Sequence, residues 1–136
     1  MDWKTCMDEG NSLKITPDRK RAQFLTKNAK NTLNVLEKIK LNEENTSVFF
    51  ANYYDALLET MHAIMYAHGY KVKNHYCLGY YLRDILQDRE SFEIFDRART
   101  IRNSIIYYGN LFEKIVLEDL IKQMISTMRK LKTNIK

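Results

Sequence analysis

Arg102 and Tyr107 are the two side chains whose types and spacing best suit chemistry on an anion. A guanidinium offers a planar, charged fork of donors that matches phosphate or carboxylate. A phenol nearby can donate a hydrogen bond or stack on a base. Both lie in the run RTIRNSIIYYG, which adds the Asn103 amide and a second ring, Tyr108. A rotation of about 100° per residue puts Ile94, Ala98 and Ile105 on one line of a helix, with Phe95 and Ile101 on either side. Arg102 stands only about 40° from that line, while Asp96, Asn103 and Tyr107 fall on the far side. Arg102 is therefore expected in or beside the core, where an unpaired guanidinium is costly. Two readings follow: a salt-bridged or snorkelling core arginine, or an arginine lining a cleft that binds an anion. The same arithmetic sets Arg102 and Tyr107 about 140° apart. One subunit is then expected not to hold one ligand with both unless the last turn distorts.

A second polar row, Asn52, Asp55, Glu59 and His62, is spaced three, four and three apart in an otherwise apolar helix. It reads either as the solvent stripe of a core helix or as a row aimed at a cleft or partner. Glu59 is the expected carboxylate for Arg102, in the same subunit or across a dimer.

Other site chemistries find little support. His62 and His68 are six apart, outside the spacing that lets two rings on one helix share a metal. There is no glycine-rich phosphate loop, GxSxG or HExxH, so neither a metal nor a cofactor is expected. Cys6 and Cys77 form no CxxC and are expected as reduced, buried thiols in a cytoplasmic protein. The start MDWKTCMDEG is polar and acidic, unlike a signal peptide, and no apolar run is long enough for a membrane span. The net charge of +5 and a pI near 9.1 suit either simple solubility or attraction to phosphate.

The elements that must position these residues are helical. With four Gly and one Pro in 136 residues, hairpins are disfavoured, and one domain with one core is expected. The first helix should span Thr16 to Leu41, with Thr16 as N-cap and Pro17 at the first position. The second runs from about Ser47 to His68 and stops at Gly69. A basic connector, GYKVKN, leads to a short helix capped by Asn74. The fourth spans about Ser91 to Tyr108, ended by Gly109, and EKIVLEDLIKQMISTMRKLK is the fifth. Residues 1–15 read as an N-terminal extension. No strand is expected, and the fold class is all-α, a four- to five-helix up-and-down bundle.

The order of these pieces resembles the HEPN domain family. It rests on the buried helix YYDALLETMHAIMYAHGYKV, the short helix NHYCLGYYLRDIL, the segment FDRARTIRNSIIYYG and a last amphipathic helix. The opening MDWKTCMDEG and ITPDRKRAQFLTKNAKNTL are similar to small archaeal members, so the resemblance spans the chain. It implies a helical homodimer with a site at the dimer cleft. In nuclease members an Arg, followed four to six residues later by His, cuts RNA without metal. Arg102 and Asn103 match the first half of that motif. Tyr107 stands where the His would be, and no His follows it.

Three functions follow as expectations. The first is a nucleotide- or RNA-binding protein, catalytically weak or inactive, paired with a nucleotidyltransferase in a toxin–antitoxin-type system. Its ligand-binding residues are Arg102, Asn103, Tyr107, Tyr108 and Glu59. The second is an active metal-independent endoribonuclease with Arg102 and Tyr107 as catalytic candidates, although a phenol is a poor general base near neutral pH. The third is a structural helical interaction module.

Overall fold

A computed structural model describes residues 1–135, and its organising element is the 23-residue α3, Thr46–His68. Its sequence is apolar almost all round, and the fold uses every side of it. Phe50, Tyr53, Tyr54, Leu57, Met61 and Ile64 are all buried. The other helices are α1 (Trp3–Asp8), α2 (Arg19–Leu36), α4 (His75–Asp84), α5 (Arg89–Tyr108) and α6 (Lys114–Leu131), with a 3-10 turn at Lys132–Asn134. Helices α2, α4, α5 and α6 all pack on α3. The all-helical class expected from the sequence is what the chain adopts, with one small sheet added.

That sheet is the first correction. β1 (Ser12–Lys14) pairs antiparallel with β2 (Tyr70–Val72), in the register Ser12↔Val72, Leu13↔Lys71 and Lys14↔Tyr70. Strands this short carry no readable alternation. The basic connector thus contains a strand, and residues 1–15 are part of the fold rather than an extension.

The second correction concerns the cysteines. Cys6 and Cys77 form a disulfide, with Cα atoms 6.1 Å apart, tying α1 to the first turn of α4. Sequence spacing could not reveal a pair 71 residues apart. Around the bridge, the Trp3 N–H donates to Asp84 Oδ2 at 2.8 Å, and the Trp3 ring sits edge-on to Tyr70 and Tyr81.

Helix boundaries also shift. α2 begins at Arg19, not after Thr16, because Asp18 is the cap: its carboxylate accepts from the Arg21 N–H at 3.0 Å. The helix ends at Leu36 rather than Leu41. Beyond it Asn42 and Asn45 build a turn, Asn42 Oδ1 accepting from the N–H groups of Glu44 and Asn45, and Asn45 Oδ1 from the Asn42 N–H. α5 begins at Arg89, two residues before the expected start, because Asp88 caps it by accepting from the Ser91 N–H at 3.1 Å. Among the described residues, no helix is long and apolar enough to cross a membrane.

Candidate functional site

The C-terminal half of α5 carries a staircase of polar side chains. Arg99, Asn103 and Tyr107 follow one another at four-residue steps, and Arg102 stands beside them. The helix keeps its form to the end. Gly109 adopts a left-handed conformation (φ 65°), its N–H donating to the Ile105 carbonyl and that of Asn110 to the Ser104 carbonyl. Facing this row is the start of α4. Asn74 precedes the helix in extended conformation but does not cap it, since its side-chain amide donates instead to the Tyr76 hydroxyl at 3.0 Å. The first turn of α4 thus has no side-chain acceptor, which leaves a helix N-terminus suited to an anion.

Between the two elements lies a cleft of about 300 Å³. Lys73, Asn74, His75 and Tyr76 line one side, and Arg99, Arg102, Asn103 and Tyr107 the other. Three cationic side chains converge here without a matching set of anions. Arg99 is held by Asp96 at 2.9 Å. Among the described residues Arg102 has no ion pair. Its Nη1 donates to Asn103 Oδ1 at 3.3 Å, and its guanidinium carbon lies 5.7 Å from the Tyr54 ring centre and 6.0 Å from that of Tyr107. The Nε atoms of both arginines are buried and, among the described residues, have no hydrogen-bond partner.

His75 was not singled out in the sequence, yet it sits in this cleft. Its Nδ1 is 3.3 Å from the Tyr54 hydroxyl. Burial, then the charges of Arg102 and Arg99, lower its pKa from the ordinary histidine value, against a weaker pull from Asp55. The Tyr54 phenol is shifted the other way by burial and keeps its proton. The ring of His75 is therefore neutral near pH 7 and able to accept a proton. The available signal was modest: a histidine opening a helix just after a basic segment.

Two expectations about geometry need correction. Arg102 and Tyr107 do meet in one subunit, because two long side chains bridge the about 140° that separates their backbone positions. Glu59 does not pair with Arg102 within the chain; its Oε2 accepts from Asn28 Nδ2 at 2.9 Å. The carboxylate that senses Arg102 is Asp55. Desolvation raises its pKa, and the charges of Arg102 and His75 partly oppose this. Tyr108 is outside the cleft and strongly exposed.

The polar row of α3 faces the surface, with Asp55 exposed and Asn52 and Glu59 half-buried. Asn52, Asp55 and Glu59 form one wall of a trough of about 440 Å³, opposite Asn31, Thr32, Val35 and Leu36 of α2. His62 lies further along, beside Arg21 and Tyr66, and its pKa is pushed down to about 4, mainly by burial. His68 is fully engaged: Nδ1 contacts the Tyr81 hydroxyl and Nε2 the Asn134 carbonyl, each at 2.7 Å. Comparison with protein-family models, curated proteins and solved structures finds no match to this chain.

Proposed function

We propose that the chain binds a phosphate-bearing ligand, a nucleotide or RNA, in the α4–α5 cleft, as a HEPN-like helical protein. The observation that carries this reading is Arg102, a half-buried guanidinium with no ion pair among the described residues, set beside Arg99, Lys73 and an uncapped helix N-terminus. Such donors are suited to phosphate oxygens. Tyr107 supplies an exposed ring on which a base can stack. Binding isotherms with a nucleoside monophosphate and with single-stranded RNA test the reading. Arg102→Ala should weaken both by about tenfold or more, the worth of a charge-assisted contact. Lys71→Ala, at the exposed middle position of β2, should change little. Equal affinity in the Arg102→Ala protein would make the arginine purely structural.

The homodimer belongs to the same proposal. Ile106, Tyr108 and Leu111 are exposed in the chain around the cleft-lining Tyr107, and a second copy would cover the apolar Ile106 and Leu111. Sedimentation at micromolar concentration tests this, and a species of 16.2 kDa would exclude it. A nucleotidyltransferase is the partner that the resemblance implies, with the hydroxyls of Tyr107 and Tyr108 as acceptors. Transfer of labelled nucleotide, lost in the double Phe variant, would support it.

His75 favours a second reading, metal-independent RNA cleavage. With Nδ1–H donating to Tyr54, Nε2 can take the proton of a ribose 2′-hydroxyl as its oxygen attacks phosphorus. The P–O5′ bond then breaks and the departing oxygen takes a proton from water, giving a 2′,3′-cyclic phosphate and a 5′-hydroxyl, and the imidazolium returns its proton to solvent. Histidine fits this role better than the phenol of Tyr107. Cleavage of single-stranded RNA in EDTA, abolished by His75→Gln and retained by Tyr107→Phe, would select it over binding alone.

A further inference from the structure

The α4–α5 cleft carries a tyrosine on each wall. Tyr76 lines it on the α4 side and Tyr107 on the α5 side, and Lys73, Arg99 and Arg102 line the same space. The Tyr76 ring is held at both ends. Its hydroxyl accepts from Asn74 Nδ2 at 3.0 Å, and the ring leans on Tyr80 with centres 6.0 Å apart. It is half-buried, and of this aromatic pair on α4 it is the ring that reaches the cleft. Tyr107 is 67% exposed, with its ring centre 6.0 Å from the Arg102 guanidinium carbon. The buried Nε–H groups of Arg99 and Arg102 find no acceptor among the described residues, so both guanidinium groups keep unused donors between the two rings.

A mononucleotide brings one base to its phosphate and would leave one of these rings bare. An internal phosphodiester brings two bases, one on either side of the phosphate. Resting on the phosphate-binding reading above, we infer that the cleft takes a phosphodiester step of single-stranded RNA rather than a free nucleotide. The phosphate sits at Arg102, and the flanking bases stack on Tyr76 and Tyr107. Every base has a π-face, so two such platforms select a strand over a monomer without selecting a sequence. In a duplex the bases are already paired and stacked, which leaves none to splay onto the rings. Tyr76, fixed before binding by Asn74 and Tyr80, loses little side-chain freedom when a base lands on it. Charge alone favours the opposite ligand: at neutral pH a phosphate monoester carries close to two negative charges, and a diester carries one. A preference for the diester therefore reports the rings.

Calorimetric titration of the full chain tests this with three ligands: 3′-AMP, 5′-AMP and the dinucleotide ApA. The ApA carries a 2′-O-methyl group on its first ribose, so that it cannot be cleaved through its own hydroxyl. ApA should bind about tenfold or more tightly than either mononucleotide, the worth of a second stacked base. Tyr76→Leu and Tyr107→Leu should each bring ApA down by about tenfold. The mononucleotides carry their base on opposite sides of the phosphate. Each Leu variant should therefore weaken one of them and spare the other, and the two variants should not weaken the same one. The spared ligand also shows that each variant is folded. Tyr76→Phe, which keeps the ring and loses only the link to Asn74, should hold ApA within about twofold of the unaltered chain. The order of the three ligands on the unaltered chain decides on its own, whatever the stability of the variants. Mononucleotides that bind as tightly as ApA would overturn the two-base step and leave the phosphate site standing. So would Leu variants that both weaken the same mononucleotide. Failure of all three ligands to bind would remove the phosphate reading itself.

Discussion

The Tyr54 hydroxyl lies 3.3 Å from Nδ1 of His75, joining a fully buried ring of α3 to the first residue of α4. Tyr54 also stacks on Phe95 of α5, with ring centres 5.8 Å apart. One phenol therefore fixes His75 relative to both walls of the cleft. Tyr54→Phe keeps the stacking and removes the hydroxyl. It should cost about 1 kcal/mol, a typical net hydrogen bond, read from the urea midpoint. It should weaken phosphate binding less than Arg102→Ala. A loss of binding as large as that of Arg102→Ala would mean that the position of His75, rather than the guanidinium, governs the site.

Acid should destabilise the protein in a defined window. The pKa of His62 is depressed to about 4, and that of His75 is depressed as well. The native state thus holds neutral rings that the unfolded chain protonates below about 6.5. The stability they contribute is complete above that pH and is lost as pH falls toward 4. For His62 the shift corresponds to something on the order of 3 kcal/mol. Asp55, with its raised pKa, acts in the opposite sense and at the low end of the range. Urea unfolding between pH 7.5 and 4.5 should show the decline, and His62→Gln should flatten it. An unchanged slope in that variant would place the acid sensitivity elsewhere.

The Cys6–Cys77 bridge closes a loop of 71 residues. The chain-entropy relation gives about 4 kcal/mol for such a loop. Cys6→Ala should lower stability by up to that amount and free α1 and β1 from the start of α4. Both cysteines are buried, so reduction should need denaturant. Thiol labelling with and without urea checks this; rapid labelling of the native protein under mild reductant would contradict it.

Several elements were legible because each rests on local chemistry. α3 announced itself by its apolar circumference and its terminal glycine, and α5 by its stripe and Gly109. Arg102 was legible too, as a charge on the edge of that stripe. What the sequence withheld is long-range. His75 gains its meaning from Tyr54 of α3 and from Arg99 and Arg102 of α5, each more than 20 residues away, and neither its spacing nor its neighbours encode that approach. The disulfide and the β1–β2 pair are also contacts between distant segments. The expected Glu59–Arg102 pair failed for the same reason: helical periodicity gives the face of each residue but not which faces meet, and Asn28 reached Glu59 instead.

Two glycines with left-handed backbones should respond differently to alanine. Gly69 (φ 88°) ends α3, and a Cβ there would stand 2.9 Å from the carbonyl oxygen of Ile15 and 3.3 Å from the Pro17 ring. Gly109 (φ 65°) ends α5 with open space around the same position. Both substitutions incur the left-handed penalty, about 1 kcal/mol. Only Gly69→Ala also pushes against backbone. The Gly69 carbonyl accepts from the Ile15 N–H at 2.9 Å, so the clash falls on the junction between β1 and the end of α3. Gly69→Ala should therefore cost about 2–4 kcal/mol, against about 1 kcal/mol for Gly109→Ala. Thermal denaturation of the two variants compares them directly. Equal costs would mean that Ile15 and Pro17 shift freely, and that the β1–β2 pair is only loosely fixed to the helical core.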